Sequence, residues 1–340
     1  MKKRILTILQ YFIFLGGGIF LVWWQLKSMS KVERADFNHA LSFANYWLII
    51  PVVIMSLLSH ISRALRWKLL MEPLGYKPAL KNVLAVIMVG YLANAAVPRL
   101  GEVLKCTFLA RYERLKVDKL VGTILLERTF DLFCYMVFIG ITVLIQINLI
   151  GGYVKVKLQN IISGGNIPIW LRLTLITIAF FAVIAIMRFV FKRFADNKII
   201  SRIRNFISGI GLGFRTVKHM RKRKLFVAHT IFIWAMYLLQ IYTGFFAMEG
   251  TSHLDLKAAC SVLTLATLAM IATPGGIGSF PIFVMETLLI YNITSPLGKA
   301  FGWLLWGVST GIIISAGLIS LLLLPLMNTK KYEISSGNPV

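Results

Sequence analysis

Apolar runs of about twenty residues recur from one end of this chain to the other, and two of them are interrupted by proline and glycine. Hydrocarbon offers no water to an unpaired N–H or C=O. A chain written in such runs must close its hydrogen bonds within its own helices. With 58% hydrophobic residues and a mean hydropathy of +0.77, no soluble domain of 340 residues is in view. The expected fold is an all-α polytopic membrane protein. Its apolar segments fall at about 5–26, 44–62, 82–97, 120–147, 168–187, 225–248, 257–273, 282–293 and 299–326. Nothing between them is long and polar enough for a second domain, so residues 1–340 read as one membrane domain. The first run follows Lys2, Lys3 and Arg4. It is too long for a signal peptide and lacks a small-residue cleavage site, so it reads as a retained helix with Trp23 and Trp24 at its far interface.

Charge then decides the topology. The net charge of +24 suggests nucleic acid, but the basic residues flank apolar runs, which points to anionic lipid headgroups instead. If every segment crossed in turn, the basic loop 188–224 and its 12 Lys and Arg would lie outside. Letting 82–110 enter from the cytoplasm, turn near Pro98 and leave on the same side repairs this. The inside then holds 28 basic residues and the outside 8, with Arg128 left within the membrane and both termini inside.

A second broken segment lies in the later half. Between Lys257 and Lys299 there is no Lys or Arg, and TPGGIG at 273–278 separates two short apolar runs. This reads as a hairpin over about 257–293 entering from outside, with two short full spans as the alternative. The first tip, VPRLGE at 97–102, is its counterpart. Two broken hairpins entering from opposite faces, one in 1–150 and one in 168–327, suggest an inverted repeat with about six full spans besides.

The ionisable residues near the first tip carry the chemistry. Arg99, Glu102 and Lys105 are spaced three apart, so Glu102 and Lys105 share a face once helix resumes after Gly101. Cytoplasmic snorkelling is the competing reading. Glu127, Arg128 and Asp131 sit about two turns into an apolar helix, where each costs about 2.5–3.5 kcal/mol to insert. Arg128 can pair with Asp131, while Arg99 and Lys105 are the candidate partners for the carboxylates. A structural ion network pinning the hairpin is the alternative to a binding site. Arg63 and Arg66 end a helix on the cytoplasmic side, where snorkelling is expected and a lipid-phosphate contact is the rival. Glu286 is a candidate counter-charge after the second tip.

Cys106, Cys134 and Cys260 are far apart and read as small buried hydrophobes. No cofactor or metal motif is present, and no phosphate-binding ATPase loop. The residues leave three readings open: a passive or ion-coupled lipid translocase, an accessory membrane subunit with a structural ion network, and an intramembrane enzyme acting on lipid-linked phosphates or sugars. No nucleophile–His pair favours the last. The expected partners are membrane lipids, with a lipid-modifying enzyme beside them.

RALRWKLLMEPLG at 63–75, GYLANAAVPRLGEVLKCTFLAR at 90–111, LLERTFDL at 125–132 and TPGGIGSF at 273–280 together resemble the lysylphosphatidylglycerol synthase transmembrane-region family, a flippase-like group. The resemblance implies a bacterial cytoplasmic-membrane protein that handles lipid, not an enzyme. It implies a substrate site from Asn94, Pro98, Arg99, Gly101, Glu102, Lys105, Glu127, Arg128 and Asp131. It adds Pro274, Gly275, Gly276, Gly278 and Glu286 of the second tip, with Arg63 and Arg66 near a headgroup. Two-part members carry a soluble lysyl-transferase domain, which this chain, ending at Val340, is expected to lack. The chain departs from the pattern at Pro281, where the family usually has glutamate.

Overall fold

The structure is a computed structural model that describes residues 16–25, 27–97, 99–146, 217–218 and 220–328. Among these there are helices and turns but no strands. Residues 16–25 form α1, followed by α2 (Lys31–Ser42), α3 (Ile49–Met71) and the first hairpin, α4 (Leu80–Ala96) and α5 (Leu100–Glu113). Next come α6 (Val117–Ile145), α7 (Arg223–Phe245), the second hairpin of α8 (Leu256–Ala272) and α9 (Ser279–Leu289), and α10 (Ser295–Leu326). Four stretches are long and apolar enough to cross a membrane: Tyr46–Leu74, Val117–Ile145, Arg223–Phe245 and Ser295–Leu326. The expected spans at 168–187 and most of 5–26 lie outside the described residues, as does most of the 188–224 loop.

One boundary differs from the sequence expectation. The segment expected to end at residue 62 continues as helix to Met71, and only then does a Pro73 turn and left-handed Gly75 (φ 77°) stop it. Arg63 and Arg66 therefore stand inside a helix rather than at its wet end.

Both broken segments are hairpins of short helices. At 17 residues each, α4 and α8 are about 25 Å long, less than a hydrocarbon core. They stop for the same reason. The residue before each proline, Val97 (φ −137°, ψ 117°) and Thr273 (φ −129°, ψ 151°), is forced out of helical geometry. One residue past the proline the chain turns left-handed, at Arg99 (φ 66°) and Gly275 (φ 60°). Pro98 itself lies outside the described residues. Val97 N–H donates to Ala93 O and Thr273 N–H to Ala269 O, so the two breaks match element by element. The preceding helices match too, at 23 residues in α3 and in α7. They pack antiparallel, since Ser62 meets His229 while Arg66 meets Thr230 and Phe226. Each broken hairpin is thus preceded by a long helix of the same length.

Small residues let the elements close up. Gly317 of α10 packs on Leu92 and on the Met88 carbonyl, Gly302 on Pro281, and Gly298 on Met285. The hairpin tips also meet. A Cβ on Gly275 would stand 3.6 Å from Ala95 Cα, and Gly18 of α1 packs on Ile277. Unwound backbone at membrane depth needs partners. Trp306 Nε1 donates to Gly275 O (2.8 Å), Gln25 Nε2 to Gly278 O (2.8 Å) and Thr273 Oγ1 to Ile277 O (3.3 Å).

These elements form one compact unit, comprising the described residues up to Arg128 and from Met220 on. The described part of a second unit begins at Thr129 with the continuation of α6, along which Phe130 and Phe133 pair at 6.3 Å.

Candidate functional site

Three helices bring charge to one buried point. Glu127, on α6, is 2% exposed. Its Oε1 accepts from Arg66 Nη2 at 3.1 Å and lies 3.6 Å from Arg63 Nη1, both on α3. Its Oε2 lies 3.5 Å from Lys105 Nζ on α5. Arg63 and Arg66 are three apart on α3, so both guanidinium groups leave on one face. Arg66 is fully buried and its Nη1 donates to Thr230 Oγ1 (3.3 Å); Arg63 Nη2 donates to Tyr237 Oη (2.9 Å). Aromatic faces complete the shell: Lys105 Nζ lies 4.9 Å from the Trp67 ring centre, and Arg63 and Arg66 lie 5.9 and 5.7 Å from Tyr91 and Phe226. Trp67 is held in turn by its Nε1–H donating to Thr123 Oγ1 at 2.9 Å.

A second ion pair sits beside this cluster at the hairpin tip. Arg128 Nη2 donates to Glu102 Oε1 at 2.7 Å, with 43% of the Arg128 side chain exposed. Asn94 organises the tip: its Oδ1 accepts from Gly101 N–H (2.8 Å), and its Nδ2 reaches Glu102 Oε1 (3.3 Å). Gly101 is required here, because a Cβ on it would run into the Gly90 carbonyl of the facing helix. A small polar cleft opens between these parts, lined by Tyr91, Asn94, Glu102, Lys105, Arg128 and the glycines. Glu102 Oε2 is buried there without a hydrogen-bond partner.

The structure thus gathers Asn94, Gly101, Glu102, Lys105, Glu127 and Arg128 as the sequence suggests, and corrects three details. Arg63 and Arg66 do not snorkel; they are buried on Glu127 because α3 runs on past them. Arg99 does not reach the α6 carboxylates, since it caps the tip in left-handed geometry with its side chain exposed. Arg128 pairs across to Glu102 rather than along α6 to Asp131, whose side chain is half-buried. Around the second tip, Pro274 and Gly276 are buried, and the Gly275 and Gly278 carbonyls are engaged as packing partners. Glu286 is exposed on α9. Sequence reasoning missed Tyr91, Trp67, Thr230 and Tyr237, which carry no spacing signal. Among the described residues no group of three His, Cys, Asp or Glu is placed to hold a metal ion.

Comparison with known proteins matches residues 7–317 to the family described as the lysylphosphatidylglycerol synthase TM region. The chain belongs to that family. It is therefore an integral multi-pass membrane protein. It is 22% identical over 321 residues to a UPF0104 membrane protein of Methanocaldococcus jannaschii, covering 88% of each chain. No solved structure matches it.

Proposed function

We propose that this chain binds a membrane lipid by its headgroup at the first hairpin and carries it across the bilayer, as a flippase-like translocase rather than an enzyme. The observation that carries this reading is three cations converging on the single carboxylate of Glu127, next to a polar cleft at a broken helix. Ionisable groups at membrane depth are expensive and mark substrate paths. A broken helix there places polar backbone and a fresh helix N-terminus beside them. The occupant on this reading is a phosphate-bearing or aminoacylated lipid. The charge distribution favours a cytoplasmic membrane with both termini inside, where basic loops gather anionic lipid.

A second reading draws on the same cluster. Glu127 with Arg63, Arg66 and Lys105 also suits a structural pin in an accessory subunit. Reconstitution separates the two. Liposomes with headgroup-labelled lipids report flipping as access of an impermeant quencher. Protein-dependent flipping that Lys105→Met and Arg128→Gln both abolish, with the variants folded, supports the translocase. Flipping indifferent to both, or absent for every lipid with and without an ion gradient, supports the pin.

A further inference from the structure

The first tip holds charge that faces outward. Arg128 and Glu102 pair at 2.7 Å, yet 43% of the Arg128 side chain and 26% of the Glu102 side chain are exposed. Arg99, one turn before Glu102, is exposed as well. Two helices give the depth of the pair independently. Arg111, Arg114, Lys116 and Lys119 are exposed around the turn between α5 and α6 and mark the membrane boundary there. Glu102 stands nine residues up α5 from Arg111, and Arg128 nine residues up α6 from Lys119. Both helices therefore raise the pair about 13–14 Å, close to half of a hydrocarbon core about 30 Å thick. An exposed ion pair at that depth faces either hydrocarbon or water. The first is costly, and charged side chains inside membranes turn to wet cavities instead.

The exposed residues of α5 extend this wet point into a line. Arg99, Val103, Thr107 and Arg111 recur at every fourth position, and all four are exposed. That spacing sets them one above another on one face, over about 18 Å from the boundary to the tip. Both ends of the line are arginines, and the ion pair flanks its upper end. α7 offers the contrast. Ile231 stands eight residues in from Arg223, as Val103 does from Arg111. The two are alike in exposure, at 65% and 59%, but the next exposed residue below Ile231 is Val227, where α5 has Thr107.

We propose that the exposed face of α5 is a water-filled track along which a phosphate-bearing lipid headgroup passes between the basic boundary and the hairpin tip, its acyl tails staying in the surrounding lipid. The inference rests on the headgroup reading above and names the route. Arg111 meets the phosphate at the boundary. Thr107 turns its hydroxyl to it from the Val103 carbonyl, on which it donates at 2.9 Å. Arg99 and Arg128 receive it at the tip. Arg128 uses one Nη on Glu102, and its guanidinium has further N–H donors. The route runs over the face of the hairpin and needs no room inside the cleft behind it.

The test compares Val103→Cys with Ile231→Cys, matched in depth and exposure, in the full chain with Cys106, Cys134 and Cys260 replaced by alanine and melting unchanged. The first readout is the labelling rate by a charged, membrane-impermeant methanethiosulfonate in nanodiscs of phosphatidylglycerol and phosphatidylcholine. The thiolate is the reacting form, and hydrocarbon suppresses both it and the reagent, so Val103→Cys is expected to react about tenfold faster or more. The second readout is flipping of headgroup-labelled phosphatidylglycerol in liposomes, after both thiols have been driven to completion with a bulky maleimide in detergent. The adduct on Val103→Cys is expected to abolish flipping, and the adduct on Ile231→Cys to leave it intact. Equally slow labelling of the two thiols puts the face of α5 in lipid and overturns the track. Fast labelling of Val103→Cys with flipping that survives its adduct overturns the track and leaves the headgroup site standing. Flipping absent before any labelling overturns the translocase reading and the track together.

Discussion

Gly101→Ala probes the first hairpin at its tightest point. The added Cβ would run into Gly90 O and stand 2.7 Å from Gly90 C and 2.8 Å from Asn94 Cγ. Backbone cannot swing aside as a side chain can, so the two helices must part by about 1 Å to regain ordinary contact. Parting them stretches the 2.8 Å bond from Gly101 N–H to Asn94 Oδ1. Overpacking costs about 1–3 kcal/mol, and an orphaned buried donor adds about 1–3 kcal/mol. The better helix propensity of alanine returns up to about 1 kcal/mol, leaving a loss near 3 kcal/mol. The control is Gly122→Ala, exposed on α6 with nothing within 4 Å of its new Cβ. Apparent melting of the detergent-purified protein is expected to fall on the order of 10 °C for the first variant and to hold or rise for the second. Equal melting of Gly101→Ala and the unsubstituted protein would refute the close helix packing on which the cleft rests.

Other perturbations separate fold from function. Arg99→Gly relieves a left-handed residue (φ 66°) and is expected to stabilise by about 1 kcal/mol in the same melting assay; a loss would show that the arginine side chain holds the tip. Glu127→Gln strips the shared carboxylate from three buried cations and is expected to cost about 3–5 kcal/mol, read as melting and as lost flipping. Trp306→Phe orphans the Gly275 carbonyl at a cost of about 1–3 kcal/mol, and unchanged melting would argue against the tip being held by α10. On α2, outside the membrane, Glu33 accepts from Ser30 N–H at 2.8 Å, which holds its carboxyl below the ordinary value. The folded value being the lower one, the cap is intact above about pH 4.5 and is lost as pH falls through the depressed value. The amide-exchange protection factor in the first turn of α2, the intrinsic rate at each pH divided by the observed one, should therefore fall in acid and stay flat from pH 5 to 8.

Much of the architecture was legible because bilayers enforce a simple code. The Pro-Gly interruptions at 98–101 and 274–278 predicted both hairpins, and the absence of Lys and Arg between Lys257 and Lys299 fitted the second. The ionisable residues of α6 announced themselves by cost alone. The partnership was harder to read. Arg63 and Arg66 looked like a helix end because the hydropathy falls there, yet α3 continues since its partners Glu127, Thr230 and Tyr237 arrive from distant segments. Local spacing favoured Arg128 with Asp131, but packing of the hairpin against α6 put Glu102 closer. Arg99 was misplaced because the left-handed turn that aims it away is set by backbone sterics, which a spacing argument does not see.

The second tip also dictates an order of assembly. The Gly278 carbonyl is met by Gln25, which the ribosome has long since delivered. The Gly275 carbonyl waits for Trp306, 31 residues further on. Until α10 has been synthesised and has entered the membrane, the hairpin of α8 and α9 holds an unanswered carbonyl and lacks the glycine-lined wall of Gly298 and Gly302. The last described helix is thus the keystone, and the hairpin before it can settle only after translation has passed it by.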